Sequence, residues 1–272
     1  MVVEREMISA TCALCLENKE LVSSHLIPRA VYNYCRTKDS EPIVMTAKFA
    51  MPTSRQLQHQ LLCRACEGIL NKGGENWLVS LLATIDKRFP LLDIIERVQP
   101  DAVDGDLRTY AASRNPEIEI NKLIHFAMGV FWKASIHSWK GDNKTPQIQL
   151  GPYGEQLRAF LLGETQFPRN MGLILAVNPR EKALISIRLP YRTPVRECHG
   201  FTFHIPGLLF VLNVGKKLPA DMPLICFATN PAHPILVADL SKDIATVGSS
   251  IFSKAHKSKK LIEYMSRKAP PK

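Results

Sequence analysis

The chain has no run of about 18 or more uncharged apolar residues, the length a helix needs to cross a bilayer. Its opening, "MVVEREM", has neither the basic start nor the apolar stretch of a secretion signal. These two absences predict a cytoplasmic protein that does not engage a membrane. No GxxxxGK[ST] loop occurs, so nothing points to ATP-driven chemistry. Internal repeats and low-complexity tracts are missing too. Acidic residues are the scarcer charge: 25 Asp and Glu stand against 35 Lys and Arg, a formal net charge of +10. That sign favours a polyanionic partner, nucleic acid before membrane, because cationic side chains release counterions condensed on phosphates.

Seven cysteines are present, an odd number without a secretion signal, which argues for thiols and metal ligands over disulfides. The chain's 272 residues, 46% of them hydrophobic, can build a core without covalent staples. Five of the cysteines fall in residues 1–80. Beyond that head, "NWLVSLLATIDKRFPLLDIIERVQ" (76–99) repeats apolar residues at helical spacing, interrupted at Pro90. Residues 99–117 read as a connection or a pair of short irregular elements. "INKLIHFAMGVFWKASIHSW" (120–139) is apolar on too many sides for a surface helix and too short for a membrane span, so a central helix is expected. Another helix is expected at 153–163, capped by Gly163. From 171 the texture changes to short Val, Ile, Leu and Phe runs, including "MGLILAVNP", "KALISIRLP", "GFTFHIPGLLFVLNVG" and "PLICFAT", which predict strands of one antiparallel sheet. The expected organisation is therefore α+β: a head at 1–80, a helical region at 81–165, and a β-rich region at 166–272 with a basic tail.

Within the head, Cys12-x-x-Cys15 and Cys63-x-x-Cys66 have the spacing that lets two thiolates of a tight turn meet one tetrahedral Zn²⁺. Duplication of the motif makes a shared structural zinc a more economical account than a redox centre. Cys35, Cys198 and Cys226 read as core thiols. His25, in "ELVSSHLIPRAVY", follows a short strand that Ile27-Pro28 turns away, which leaves the imidazole at an edge.

In this order, Cys12, Cys15, "SHLIP", Leu62, Cys63, Cys66 and Glu67 resemble the HNH, or ββα-metal, nucleases, whose pattern reads CxxC, Asp-His-Ile-Ile-Pro, then Leu-Cys-x-x-Cys followed by His or Asn. The chain also resembles a bacterial subgroup with SHxIP and LLCxxCE motifs and a later apolar helix, echoed here by "FAMGVFWKAS". The resemblance spans about the first 80 residues. It implies a zinc-stabilised ββα-metal module and a metal-dependent endonuclease that hydrolyses DNA phosphodiester bonds. His25 would be the general base, and Ser24 and Glu67 would sit at a catalytic Mg²⁺ or Mn²⁺. A place in bacterial defence or a mobile element follows by analogy of context.

Two positions depart from the pattern. Glu67 supplies a hard anionic oxygen suited to Mg²⁺, but Ser24 replaces a carboxylate with a neutral hydroxyl, a loss to be made good by another acid such as Glu75 or Glu20 or by the DNA phosphate taking more of the shell. The Asn that orients the base in the family falls near Gln58-His59, where Gln58 offers a similar amide. Asn71 and Glu75 share a helical face with Glu67 only if the helix runs through Gly73-Gly74. The Ser24 departure keeps a second account open, a zinc-dependent nucleic-acid-binding module whose catalytic site has decayed. Lys254, Lys257, Lys259 and Lys260 of the basic tail are the candidate DNA contacts. Self-association or a partner protein is left open.

Overall fold

Read along the chain, a computed structural model describes residues 9–36, 43–45, 49–52, 56–139, 147–183, 185–240, 249, 253, 256–257 and 259–268. Strand β1 (Ser9–Thr11) turns through Cys12–Cys15 into β2 (Asn18–His25), and Pro28 then starts helix α1 (Arg29–Tyr34). The short strands β3 (Ile43–Met45) and β4 (Phe49–Pro52) pair antiparallel, after which β5 (Gln58–Cys63) returns to lie antiparallel beside β2. The first sheet thus runs β1-β2-β5, and α1 with the β3–β4 hairpin fills the interval between its two long strands.

Helix α2 (Arg64–Leu70) leaves β5 directly and continues through a π-helical turn, Asn71–Glu75, into α3 (Asn76–Val79). The paired glycines do not end the helix. A Cβ on Gly73 would lie 2.3 Å from the His125 ring, and one on Gly74 would lie 2.3 Å from the Lys122 carbonyl oxygen. Their missing side chains let this turn press against the central helix. Pro90 then opens α4 (Pro90–Ile95), a position where its absent N–H costs nothing.

Strands β6 (Ala102–Asp104) and β7 (Leu107–Ala111) form a hairpin whose turn places Gly105 at φ +55°. The stretch expected as a connection or a pair of short irregular elements therefore contains a pair of short strands that belong to a sheet. Helix α5 (Ile120–Ile136) follows, buried almost continuously from Leu123 to Ala134, as all-round apolarity requires. Helix α6 (Tyr153–Leu161) ends at Gly163, which takes φ +76° as the expected cap.

The remaining strands are β8 (Met171–Val177), β9 (Arg188–Thr193), β10 (His199–Ile205), β11 (Leu208–Val214) and, after a short helix α7 (Met222–Ile225), β12 (Pro234–Val237). They join β6 and β7 in a seven-stranded sheet ordered β6-β7-β12-β8-β11-β10-β9. An all-antiparallel sheet was expected. Instead β12 runs parallel to β8, so the sheet is mixed. Residues 223–229, read as a strand, form α7 and a turn because Pro223 sits at its helix start. The strand read at 182–190 begins only at Arg188, and Pro190 is tolerated because β9 is the sheet's edge.

Phe126 and Phe131 of α5 pack on Phe210 and Phe203 of the large sheet, with ring centroids 5.9 and 4.9 Å apart. One apolar core runs from Cys12 and Leu14 through α5 to β8, β10 and β11. At the end of the chain β13 (His256–Lys257) adds parallel to β4, and a helix, Lys259–Lys268, follows with Leu261 fully buried. Among the described residues no helix is long and apolar enough to cross a membrane.

Candidate metal centre and the adjoining cleft

Cys12 and Cys15 occupy the β1–β2 turn, while Cys63 closes β5 and Cys66 lies in the first turn of α2. Pairing of β2 with β5 sets Leu21 opposite Cys63 and draws the two knuckles together. All four sulfurs lie within 4.8 Å of one another. Sulfurs around a tetrahedral zinc with bonds of about 2.3 Å stand roughly 3.8 Å apart, so these four could hold a zinc ion with little adjustment.

The protonation chemistry agrees with that donor set. Burial works to raise the Cys12 thiol, but hydrogen bonds from the Cys15, Cys63 and Leu14 backbone outweigh it and bring the group down to about 7. One of these is the Cys63 N–H donating to Cys12 Sγ at 3.3 Å. Burial raises Cys15 and Cys66, and neighbouring sulfurs add to it at Cys66. Four thiolates in one pocket need a cation among them. The remaining cysteines are structural thiols: burial pushes Cys35 up to about 12, and Cys226 Sγ accepts the Leu173 N–H at 3.3 Å. Among the described residues, no other three Cys, His, Asp or Glu side chains converge this closely, and that includes His25, Glu67 and Glu75.

A cleft of about 430 Å³ opens near this centre, with His25, Arg29, Glu67, Asn71, Glu75 and Asn76 in its lining. His25 reaches it as the last residue of β2, before Ile27-Pro28 redirects the chain. Glu67, Asn71 and Glu75 reach it from one side of α2 and the π-turn. Helical continuation through Gly73-Gly74 is what brings Glu75 into line.

Each polar group here has a definite environment. Burial lowers the His25 pKa, the Lys133 charge lowers it further, and a hydrogen bond with the Gln56 side chain partly opposes both. The ring is therefore neutral at pH 7. Burial raises Glu67, against the Lys133 charge and the Ser24 hydroxyl, which donates to Glu67 Oε2 at 2.7 Å. Lys133 of α5 is 1% exposed, and its ammonium donates to Glu75 Oε1 at 2.8 Å and to the His25 carbonyl oxygen at 2.7 Å.

His25 and Glu67 share the cleft, as the sequence pattern anticipates. Ser24 does not join them: it is 0% exposed, lies outside the cleft lining and spends its hydroxyl proton on Glu67. A group without accessible surface cannot offer its oxygen to a hydrated cation in the cleft, so Ser24 is a support for Glu67. Glu75 is no free substitute either, because Lys133 neutralises it. Gln58 turns away and accepts the Ser23 hydroxyl at 3.1 Å, and Gln56 takes the place beside the imidazole. His59 instead stacks on His137, with centroids 3.9 Å apart.

Of the tail lysines, Lys254 lies outside the described residues. Lys257 donates to the Ser253 carbonyl at 3.2 Å, Lys259 is exposed, and Lys260 lies in the last helix. Lys133, Gln56 and Arg29 escaped the sequence reading. A single lysine inside the apolar "HFAMGVFWKAS" was the available signal, since a charge in an all-apolar helix needs a buried partner.

No protein-family model, curated protein or solved structure matches the chain.

Proposed function

We propose that the cleft is the active site of a metal-dependent endonuclease of the HNH type acting on DNA, with the four cysteines holding zinc as its scaffold. One observation carries the proposal: an imidazole with a lowered pKa and a carboxylate line the same cleft, between the end of β2, α1 and the helical run that leaves β5, next to a four-cysteine cluster. The zinc and the catalytic cation are separate. Glu67, steadied by Ser24, would hold Mg²⁺ or Mn²⁺ with water and substrate oxygens completing its shell. When bound, the cation supplies charge neutralisation at the phosphate and the leaving oxygen.

The chain's own chemistry falls to His25. Its neutral imidazole takes a proton from water as the oxygen attacks phosphorus, while the bond from phosphorus to one ester oxygen breaks. Gln56 and the Lys133 bond to the His25 carbonyl hold the ring's position. The chain's net charge of +10 suits a polyanionic substrate. By the same analogy of context, a role in bacterial cytoplasmic defence or a mobile element is part of the proposal.

One observation favours a second reading, a decayed zinc-dependent nucleic-acid-binding module: Glu67 is the only carboxylate in the cleft lining, among the described residues, that is not already paired with a cation. Incubation of supercoiled plasmid with purified protein and Mg²⁺ or Mn²⁺ decides between them. Nicking that is lost in His25→Ala and in Glu67→Gln supports the nuclease. DNA binding without cutting in any metal supports the module.

A further inference from the structure

The cleft leaves two opposite charges unpaired with each other. Arg29 is exposed, and its guanidinium has no ion-pair or hydrogen-bond partner among the described residues. Six other arginines, Arg88, Arg97, Arg108, Arg114, Arg158 and Arg180, pair with a carboxylate; Arg29 is an unpaired arginine that lines this cleft. Glu67 shares the cleft with Arg29 and also makes no ion pair, accepting only the Ser24 hydroxyl. Two such groups within one cavity of about 430 Å³ would normally find each other. Carried on different elements, Arg29 on α1 and Glu67 on α2, they suit a ligand that brings a cation to one and an anion to the other.

Other lining residues add neutral donors. Asn71 and Asn76 line the cleft from the π-turn and α3, and their side-chain amides have no partners among the described residues. A guanidinium fork and amide N–H groups match the non-bridging oxygens of a phosphodiester, which offers acceptors and a single negative charge.

We propose that Arg29, assisted by Asn71 and Asn76, forms a phosphate-binding subsite that grips the nucleic-acid backbone beside His25. The identity of the ligand rests on the nuclease reading above. Arg29 positions the strand and fixes its register, whereas His25 carries out the chemistry.

The test measures binding of a fluorescein-labelled DNA duplex by anisotropy across a salt series, without added divalent cation, for the full-length wild type, Arg29→Ala, Arg29→Lys, Asn76→Ala and His25→Ala. Plasmid nicking by each protein is followed in parallel. Loss of one phosphate contact lowers the slope of log K against log salt by about 0.9. Arg29→Ala is expected to lose that increment and to bind about tenfold more weakly at low salt. Arg29→Lys should keep the slope but not the full affinity. Asn76→Ala should weaken binding with the slope unchanged, and His25→Ala should leave both intact. Arg29 is exposed, so its variants should retain the wild-type melting temperature.

An unchanged slope in Arg29→Ala, with wild type still nicking, overturns the subsite and leaves the nuclease standing. A lowered slope in a protein that never nicks upholds the subsite and removes the nuclease. Wild-type binding that is insensitive to salt overturns the subsite outright.

Discussion

The Lys133 ammonium lies 2.7 Å from the main-chain oxygen of His25 and 2.8 Å from Glu75 Oε1, so one buried cation ties together the strand end, the π-turn and the central helix. The Lys133 and Glu75 side chains have little access to water, and each is the other's ion-pair partner. Removing one member leaves the other charged and desolvated. Lys133→Met is expected to lower unfolding free energy by about 3–5 kcal/mol, read from urea denaturation. Adding Glu75→Leu to it should recover much of that loss, because an apolar pair replaces an ion pair more cheaply than a lone charge does. A single variant as stable as wild type would show that the pair carries little of the fold's stability.

The cysteine cluster makes its own prediction. Purified protein should contain one zinc per chain by elemental analysis, and Cys63→Ser should lose it along with thermal stability. Cys35→Ala and Cys198→Ala should keep their zinc, since both residues lie outside the cluster. Full zinc content in Cys63→Ser would remove the four-cysteine assignment.

The four-cysteine cluster was legible in the sequence because each half of it is a local turn, with spacing fixed by two residues. The central helix was legible because nothing but burial explains "FAMGVFW". Long-range pairing was not. Strand β12 enters the sheet between β7 and β8, partners far apart in the chain, and no local pattern in "PILV" announces a parallel neighbour. Lys133 and Glu75 likewise meet across 58 positions, through a helix whose continuation past two glycines depends on the close approach of α5. At Ser24 the family pattern suggested a place at the cation, and only burial showed that its hydroxyl serves Glu67.

The protonation of His25 sets the pH dependence of the proposed cleavage. Burial and then the Lys133 charge lower its pKa below the ordinary 6.5, so the base form persists into mild acid. The acidic limb of kcat/KM for plasmid nicking should have its midpoint below 6.5, with activity falling only beneath it. A midpoint at 7 or above would mean that another group limits the reaction or that His25 gains its proton more easily than its surroundings imply.

Two glycines of the same helical run should respond in opposite ways to gaining a methyl group. At Gly73 the new Cβ would meet the His125 ring at 2.3 Å, and that ring is held by the contact of its Nε2 with the Leu161 carbonyl at 3.2 Å. Gly73→Ala should cost about 1–3 kcal/mol as α2 and α5 are forced apart. At Gly68 nothing lies within 4 Å, so Gly68→Ala should stabilise by about 0.5–1 kcal/mol through helix propensity. Equal effects at both sites, compared by thermal melts, would deny the close packing of the π-turn on α5.

His204 predicts how the large sheet responds to acid. It is 0% exposed in β10, with Nδ1 3.3 Å from the Ser186 hydroxyl, and burial, reinforced by the Arg188 charge, pushes its pKa down to about 4. In the unfolded chain the imidazole returns to 6.5. Between those values the unfolded state binds a proton that the native state refuses, so this group's stabilising effect is complete above 6.5 and is lost as pH falls toward 4. The loss at pH 4 amounts to about 3 kcal/mol. Urea denaturation at several pH values should therefore show the wild type weakening across this window more steeply than His204→Leu, whose apolar side chain takes up no proton. Parallel curves for the two proteins would mean that the imidazole reaches water in the native state and that acid sensitivity originates elsewhere.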